Sequence, residues 1–191
     1  MKVLVISDEE SKYLAEYYHE NDLENVDLIL SAGDLPYSYL ETIKTNIKKP
    51  LFYVKGNHDT YKTSLFDKEL IEWKSVEVLE IRIIGIGCQK RNGQILSEAE
   101  MCKKLKRLYR KNKRNTRVDI IISHYPALGI GDGQDTMHRG YQSIRDFVEK
   151  MQPAYFVYGH NHLNYGRTQR TIESNKTKYA GCIFSTKSLI D

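Results

Sequence analysis

The stretch that decides the fold is Leu51-Phe52-Tyr53-Val54-Lys55-Gly56-Asn57-His58-Asp59, in which an apolar run ends in a short polar motif. This arrangement occurs five times along the chain. The apolar runs are Val3 to Ile6, Val26 to Leu30, Leu51 to Val54, Val118 to Ile122 and Tyr155 to Tyr158. The motifs that follow them are Ser7-Asp8-Glu9-Glu10, Gly33-Asp34, Gly56-Asn57-His58-Asp59, Ser123-His124 and Gly159-His160-Asn161-His162.

Short apolar runs bounded by polar residues are typical of strands that are buried on both faces of a sheet. In open α/β sheets, ligands bind at the carboxyl ends of the strands. The five motifs are therefore predicted to share one site at that edge. Because they supply carboxylate, amide and imidazole groups without thiolate, they suit divalent ions such as Mn, Fe or Zn.

The order of the remaining patterns predicts an α/β fold built from two packed sheets with helices outside. An early strand–helix alternation favours a mainly parallel sheet, and hairpins late in the chain favour a second, mixed sheet. Predicted helices cover Ser11 to Glu20, Ser38 to Lys48 and Arg139 to Met151, with a further helix near Phe66 to Trp73. A strand pair is predicted over 76–87, and two more strands near 164–170 and 178–184.

Length and composition predict one domain spanning residues 1–191 of a globular protein. The hydrophobic fraction of 40% and charged fraction of 28% are ordinary for that class. No apolar run approaches the ~20 residues of a membrane span, so no membrane partner is expected. The first acidic motif lies by position 8, where a cleaved signal peptide would remove it, which favours a cytoplasmic protein. The sequence gives no indication of the oligomeric state.

Lys103 to Arg117 contains nine basic residues and no acidic one. It overlaps a helix predicted to begin at Ser97, since Ser97 and Glu100 form a capping-box pattern. One interpretation is a solvated helix whose charges face outward. The other is a surface that attracts phosphate-bearing substrates or nucleic acid. Tyr109 is its only aromatic residue, so the pattern is not typical of a single-strand binding groove.

The strand-end motifs offer a set of ligands for two ions. Asp34 is the best candidate to bridge them, because a carboxylate can bind two cations. Imidazoles come from His124, His160 and His162, and Asn57 adds a neutral oxygen. Such a set would hold two divalent ions roughly 3.5–4 Å apart. At this spacing two ions can stabilise both the attacking and the leaving oxygen of a displacement at phosphorus.

The order Asp…Gly-Asp…Gly-Asn-His-Asp…Ser-His…Gly-His-Asn-His resembles the calcineurin-like metallophosphoesterases over nearly the whole chain. The resemblance implies a four-layer αββα sandwich. It implies that one metal is held by Asp8, Asp34 and His162, and the other by Asp34, Asn57, His124 and His160. It also implies that His58 stabilises the transferring phosphoryl group or protonates the leaving oxygen, with Asp59 orienting it.

One position departs from the family pattern, whose first motif is usually Asp-x-His. Here that position is Glu10. Glu10 could replace the imidazole as an oxygen ligand and shift the first metal toward harder ions such as Mn or Mg. Alternatively it points away and leaves that metal weakly held, or it precedes the helix at Ser11 and favours the helix dipole. The chain is also similar to a branch of the family in which this His is absent.

The segment Gly131 to Gly140 is a second candidate. It could be a turn that ends in a helix cap at Asp135 or Thr136. It could instead lie over the metals, with His138 or Arg139 meeting a substrate phosphate, a contact for which the planar fork of Arg is well suited.

These patterns predict a hydrolase that cleaves a phosphoester by metal-activated water at a dinuclear site, with diesters slightly favoured over monoesters. Its cofactors would be two divalent ions, with Mn favoured and Fe, Zn or Mg also suitable. The alternative is a non-catalytic, metal-binding interaction scaffold on the same fold. A nucleic-acid substrate that uses the basic stretch is a special case of the first hypothesis.

Overall fold

The computed structural model describes residues 1–17, 23–59, 68–90, 92–114, 117–161, 171–174 and 176–181. The first sheet has three strands in the order β1-β2-β3, and both pairings are parallel. Its strands are β1 (Val3–Ile6), β2 (Leu28–Ser31) and β3 (Leu51–Tyr53). This is the parallel sheet predicted from the early strand–helix alternation.

The second sheet has six strands in the order β4-β5-β6-β7-β9-β8. The four central strands run parallel, and β4 and β8 pair antiparallel at the two edges. The strands are β4 (Ser75–Val78), β5 (Ile81–Ile86), β6 (Ile120–Ser123), β7 (Tyr155–Tyr158), β8 (Thr171–Ser174) and β9 (Thr177–Gly181). This is the mixed sheet predicted from the late hairpins.

Three α-helices lie among the described residues: α1 (Tyr37–Ile47), α2 (Glu98–Asn112) and α3 (Gln142–Met151). Helix α2 begins at the predicted capping box, in which Ser97 Oγ accepts from the Glu100 N–H and the Glu100 carboxylate accepts from the Ser97 N–H. No helix in the described part of the chain is long and apolar enough to cross a membrane.

Three separate cores give the molecule its four layers. Strand β1 shows how they form, because successive side chains point to opposite faces of a strand. Val3 and Val5 pack between the two sheets against Ile122, whereas Leu4 and Ile6 pack toward α1. On the far side of the second sheet, a third core joins the sheet to α2 and α3. The predicted αββα sandwich is confirmed.

Some local predictions are wrong. The predicted helix over Ser11 to Glu20 is a short π-helical segment, Tyr13–Tyr17, among its described residues. Helix α3 begins at Gln142, because the Tyr141 N–H donates to the Pro126 carbonyl and holds Tyr141 in an extended conformation. Residues 68–73 form turns and isolated bridges rather than a helix. The strand predicted near 164–170 lies outside the described residues.

Candidate metal centre

The carboxyl ends of the parallel strands bring Asp8, Asp34 and His124 together. One ligand atom from each residue lies within 4.8 Å of those of the other two. Asp8 follows β1, Asp34 follows β2 and His124 follows β6, so the cluster joins both sheets. This group of two carboxylates and an imidazole is suited to a divalent cation.

Three residues of the site have left-handed backbone conformations. The φ angles are 63° at Asp8, 55° at Asp34 and 71° at His160. Residues other than glycine rarely adopt such angles, and where they do, strained backbone is often part of a functional site. The turn at Asp8 is fixed by main-chain contacts: its N–H donates to the Gly33 carbonyl at 3.1 Å, and its carboxylate accepts from the His160 N–H.

The His124 ring is oriented by a buried main-chain carbonyl. Its Nδ1 lies 2.8 Å from the Ala32 oxygen, which can only accept, so Nδ1 carries a proton. Its Nε2 faces the Asn57 Oδ1 at 2.9 Å and the Asp34 Oδ2 at 3.2 Å. A main-chain partner that fixes one imidazole nitrogen is typical of metal-ligating histidines, whose other nitrogen is the ligand.

His160 is held in the same way. Its Nε2 lies 2.7 Å from the Met137 carbonyl and donates to it, which leaves Nδ1 with a lone pair. That lone pair points at His124 Nε2 across 3.2 Å. Three acceptors, from Asn57, Asp34 and His160, thus converge on one nitrogen atom, and a single proton there cannot satisfy them all. The residues present therefore fit a divalent cation, which could accept all of these lone pairs.

The charges in the cluster are coupled. Burial opposes the charge on Asp34, but the hydrogen bond with His124 and its positive charge hold the pKa of Asp34 below its usual value. Burial also opposes the His124 imidazolium, but its contact with Asp34 raises the pKa of His124 above its usual value. Burial raises the pKa of Asp8. Burial lowers the pKa of His160 to about 4, so its ring is neutral near pH 7.

Two glycines allow the motif loops to approach one another. A Cβ atom at Gly56 would overlap the Asp34 carboxylate, and one at Gly159 would overlap the Ser7 hydroxyl and lie 2.6 Å from the Asp8 carboxylate. Each glycine therefore makes room for a carboxylate of the cluster, which is a physical reason for Gly in the Gly-Asn-His-Asp and Gly-His-Asn-His motifs.

Asp59 fixes the loop around Asp34. Its Oδ2 accepts from the N–H groups of Gly56 and Asp34, both at 2.8 Å. The His58 N–H in turn donates to the Asp34 Oδ1 at 2.8 Å, and the His58 side chain is exposed. In the described part of the chain, the hydrogen bonds of the Asp59 carboxylate go to main-chain N–H groups. The predicted role of Asp59 in orienting the His58 ring stays a prediction.

Of two further predicted ligands, the structure describes Glu10 but not His162. Glu10 is exposed and is not a member of the group formed by Asp8, Asp34 and His124. This position is compatible with the alternatives in which Glu10 points away from the metals. His162 lies outside the described residues, so its predicted role as a ligand stays a prediction.

The Gly131 to Gly140 segment lies beside the cluster. The Asp135 carboxylate accepts from the N–H groups of Met137 and His138 and pairs with the His138 Nδ1 at 2.9 Å. Asp135 therefore caps a turn, not the following helix. The His138 ring centroid lies 5.5 Å from that of His160, and the Arg139 side chain is exposed.

Sequence reasoning missed the groups that orient the two imidazoles. The carbonyls of Ala32 and Met137 belong to the main chain, so no motif reveals them. The Tyr125 ring, whose centroid lies 4.1 Å from that of His160, was also missed. Its position directly after His124 was the one available signal.

The basic stretch lies away from this site. The carboxyl end of α2 leads to the start of β6, whereas the cluster lies where β6 ends, at the opposite edge of the sheet. The apolar residues Met101, Leu105 and Leu108 of α2 are buried against the second sheet and α3. The basic residues of α2 therefore do not form part of the candidate metal centre.

The sequence matches a known protein family. The calcineurin-like phosphoesterase family model matches residues 1–164. None of the curated proteins searched matches the chain.

Several solved structures are similar to this chain. TT1561 of Thermus thermophilus is 11% identical with a TM-score of 0.66, and the match covers 94% of this chain and 88% of that one. GAP50 of Plasmodium, described as the anchor in the inner membrane complex, is 13% identical with a TM-score of 0.59, over 95% and 71% of the two chains. Vacuolar protein sorting 29 from Cryptosporidium parvum is 17% identical with a TM-score of 0.49, over 94% and 72%. The family match spans most of the sequence, and the chain belongs to the calcineurin-like phosphoesterase family.

Proposed function

We propose that this protein hydrolyses phosphoesters at a site for two divalent metal ions. One observation carries the proposal: His124 Nε2 is faced by three acceptors, the Asn57 Oδ1 at 2.9 Å, the Asp34 Oδ2 at 3.2 Å and the His160 Nδ1 at 3.2 Å. Lone pairs that converge in a buried site without enough donors are stabilised by a cation.

The proposal assigns the ligands in two groups that share Asp34. Asp34, Asn57, His124 and His160 hold one ion. Asp8, Asp34 and His162 hold the other, with Glu10 as a candidate addition. Oxygen donors from Asp8, Asp34 and Asn57 favour Mn over softer ions. When bound, the ions would acidify a water molecule and neutralise charge on the phosphate.

The chain's own groups would complete the reaction. A water oxygen forms a bond to phosphorus while the bond from phosphorus to the leaving oxygen breaks. We assign the proton that the leaving oxygen needs to His58, whose exposed ring is carried by a loop bonded to Asp34. Asp59 supports this step by holding the loop in place through the N–H groups of Gly56 and Asp34.

The substrate partner is a phosphoester, and we favour diesters. Arg139 is exposed, and in the described part of the chain its guanidinium has no carboxylate partner, so it is free to meet a substrate anion. We place the enzyme in the cytoplasm, a compartment in which free thiols such as those of Cys88 and Cys102 persist. The basic residues of α2 lie away from the cluster, so nucleic acid is not part of the proposal.

The test is hydrolysis of bis-p-nitrophenyl phosphate and p-nitrophenyl phosphate by Mn-loaded protein, before and after chelation. The proposal predicts activity that chelation removes and Mn restores, with the diester cleaved faster. His58→Ala should slow turnover about 10²-fold or more without loss of metal. Arg107→Ala, on the exposed face of α2, serves as the control. A protein that takes up no metal and cleaves neither ester would instead support the interaction scaffold.

A further inference from the structure

The loop that carries Asn57 and His58 is bound at both ends by the side chain of Gln89. Gln89 Nε2 donates to the Gly56 carbonyl at 2.6 Å and to the Asp59 carbonyl at 3.2 Å. Because main-chain carbonyls can only accept, the amide nitrogen of Gln89 must face them, and not its oxygen. One side chain therefore joins the two carbonyls that flank Asn57 and His58 in the sequence.

This contact joins the two sheets. The loop follows β3 in the first sheet, whereas Gln89 follows β5 in the second. Cys88 adds a contact of the same kind, since its thiol donates to the Lys55 carbonyl at 3.3 Å. The loop is thus bound to the sheet that supplies His124, whose Nε2 lies 2.9 Å from the Asn57 Oδ1.

The main chain around Gln89 is itself held in place. Gln89 pairs with Ile95 in an antiparallel bridge, and the Leu96 N–H donates to the Cys88 carbonyl at 2.9 Å. A side chain that starts from a bonded main chain and makes two hydrogen bonds is a rigid support for the groups that it contacts.

Removal of the Gln89 amide would leave the Gly56 carbonyl without this donor at a buried position. An unsatisfied buried acceptor is costly, so the loop would shift to find another partner. Such a shift would move the Asn57 Oδ1 away from His124. It would also move the His58 ring, whose main-chain N–H is bonded to Asp34.

We propose that Gln89 is a positioning residue for the candidate metal centre, and that it acts through the loop carrying Asn57 and His58. The inference rests on the proposed function, in which Asn57 is a metal ligand and His58 the proton donor. Groups that orient a metal ligand contribute about 10- to 100-fold to metal affinity or activity.

The test replaces Gln89 with methionine, which keeps the length of the side chain and removes its donors. We expect Mn affinity, measured by equilibrium dialysis, to fall about 10-fold or more. With Mn saturating, kcat for bis-p-nitrophenyl phosphate should fall while KM stays near that of the parent, because Gln89 does not contact the substrate.

Two further variants frame this result. Gln89→Glu should weaken Mn binding more than Gln89→Met does, since its carboxylate would face two carbonyl oxygens. Gln94→Met makes the same change at an exposed position of the same segment and should match the parent in Mn affinity and turnover.

A double-mutant cycle tests whether Gln89 acts through Asn57. In Asn57→Ala the ligand is already lost, so adding Gln89→Met should weaken Mn binding little further. If the second substitution costs as much in this background as in the parent, Gln89 does not act through Asn57, which would contradict the proposal.

Hydrogen exchange in the metal-free protein gives a measurement that depends on neither metal nor activity. The Gly56 N–H, which donates to the Asp59 Oδ2, should exchange faster in Gln89→Met. Amides within β6 should keep their protection, because the change is confined to the loop. Loss of protection throughout β6 would make Gln89 a determinant of the whole fold and would contradict a positioning role.

The outcomes separate this inference from the proposed function. Parent-like Mn affinity and parent-like Gly56 exchange in Gln89→Met would overturn the role of Gln89 and leave the hydrolase intact. A parent protein that binds no Mn and cleaves no ester would overturn the proposed function, and with it the role of Gln89 at a metal centre.

Discussion

The Nδ1 atom of His160 lies 3.2 Å from the Nε2 atom of His124, although the other nitrogen of each ring donates to a main-chain carbonyl. One proton on His124 Nε2 could join the two rings, but it could not also serve the Asn57 and Asp34 oxygens that face the same nitrogen. The arrangement is better explained by a cation that both lone pairs would bind.

Replacing His124 with alanine should remove most of the metal affinity. Substitution of groups that merely orient a ligand costs about 10- to 100-fold, so loss of a ligand should cost at least about 100-fold, with turnover falling in parallel. Mn binding by equilibrium dialysis provides the measurement. His138→Ala, whose imidazole pairs with Asp135, is the matched control and should keep its metal. Full metal binding by His124→Ala would remove this residue from the ligand set.

Gly56→Ala should damage the site without changing any ligand. The added methyl group would overlap the Asp34 carboxylate, so Asp34 must move, and we expect metal affinity to fall about 10- to 100-fold. Gly93→Ala is the control: its φ of +84° strains an alanine by about 1–2 kcal/mol, but no atom lies within 4 Å of the new Cβ. The control should lose stability in urea and keep its metal affinity. If Gly56→Ala binds Mn normally, the close approach has no role in positioning Asp34.

Metal binding should release a proton from His124 at mildly acidic pH. Against the effect of burial, the contact with Asp34 raises the pKa of His124 above its usual value, so in the metal-free protein its Nε2 keeps a proton to a higher pH than an ordinary imidazole does. Near pH 6, binding should therefore release about one proton from this ring. His160 contributes none there, since its pKa is lowered to about 4.

The release can be measured by calorimetry in two buffers with different ionisation enthalpies at about pH 6. Metal binding without release of a proton at this pH would contradict the account of His124.

Glu98 should stabilise α3, because its carboxylate lies at the start of that helix. As the first residue of α2, it accepts from the N–H groups of Gln142 at 3.2 Å and Ser143 at 2.8 Å, which begin α3 and have no side-chain cap of their own. Glu98→Ala should lower the free energy of unfolding by about 1 kcal/mol, as loss of a helix cap does. Urea denaturation measures this.

Two further variants test the Glu98 cap. Glu98→Gln, which keeps an acceptor oxygen, should lose less, and Glu41→Ala, on the exposed face of α1, should be near neutral. A Glu98→Ala protein as stable as the parent would show that solvent satisfies the start of α3 equally well.

The sequence was sufficient to predict the layers and the edge at which the motifs meet. Both follow from strong signals: apolar runs of strand length, and a polar residue at the end of each. Asp34 and His124, for example, follow β2 and β6 and come within hydrogen-bonding distance as expected. The start of α2 was also predictable, because a capping box is a local pattern that needs no tertiary partner.

Other features depend on tertiary contacts that no local pattern encodes. Helix α3 begins later than predicted because Tyr141 bonds to the distant Pro126 carbonyl. The ring orientations of His124 and His160 depend on the carbonyls of Ala32 and Met137, which any residue type could supply. The Asp59 carboxylate organises main-chain N–H groups, a contact that becomes visible only when β2 and β3 lie side by side.

The central claim is that the acceptors around His124 surround a metal ion. Anomalous X-ray diffraction from crystals of the Mn-loaded protein tests it most directly. The account predicts a strong anomalous peak roughly 2.0–2.2 Å from His124 Nε2, with Asp34, Asn57 and His160 completing the site. A second peak on the Asp8 side of Asp34 would establish the dinuclear centre. A map without a peak at His124, in which its Nε2 still bonds to Asn57, would contradict the account.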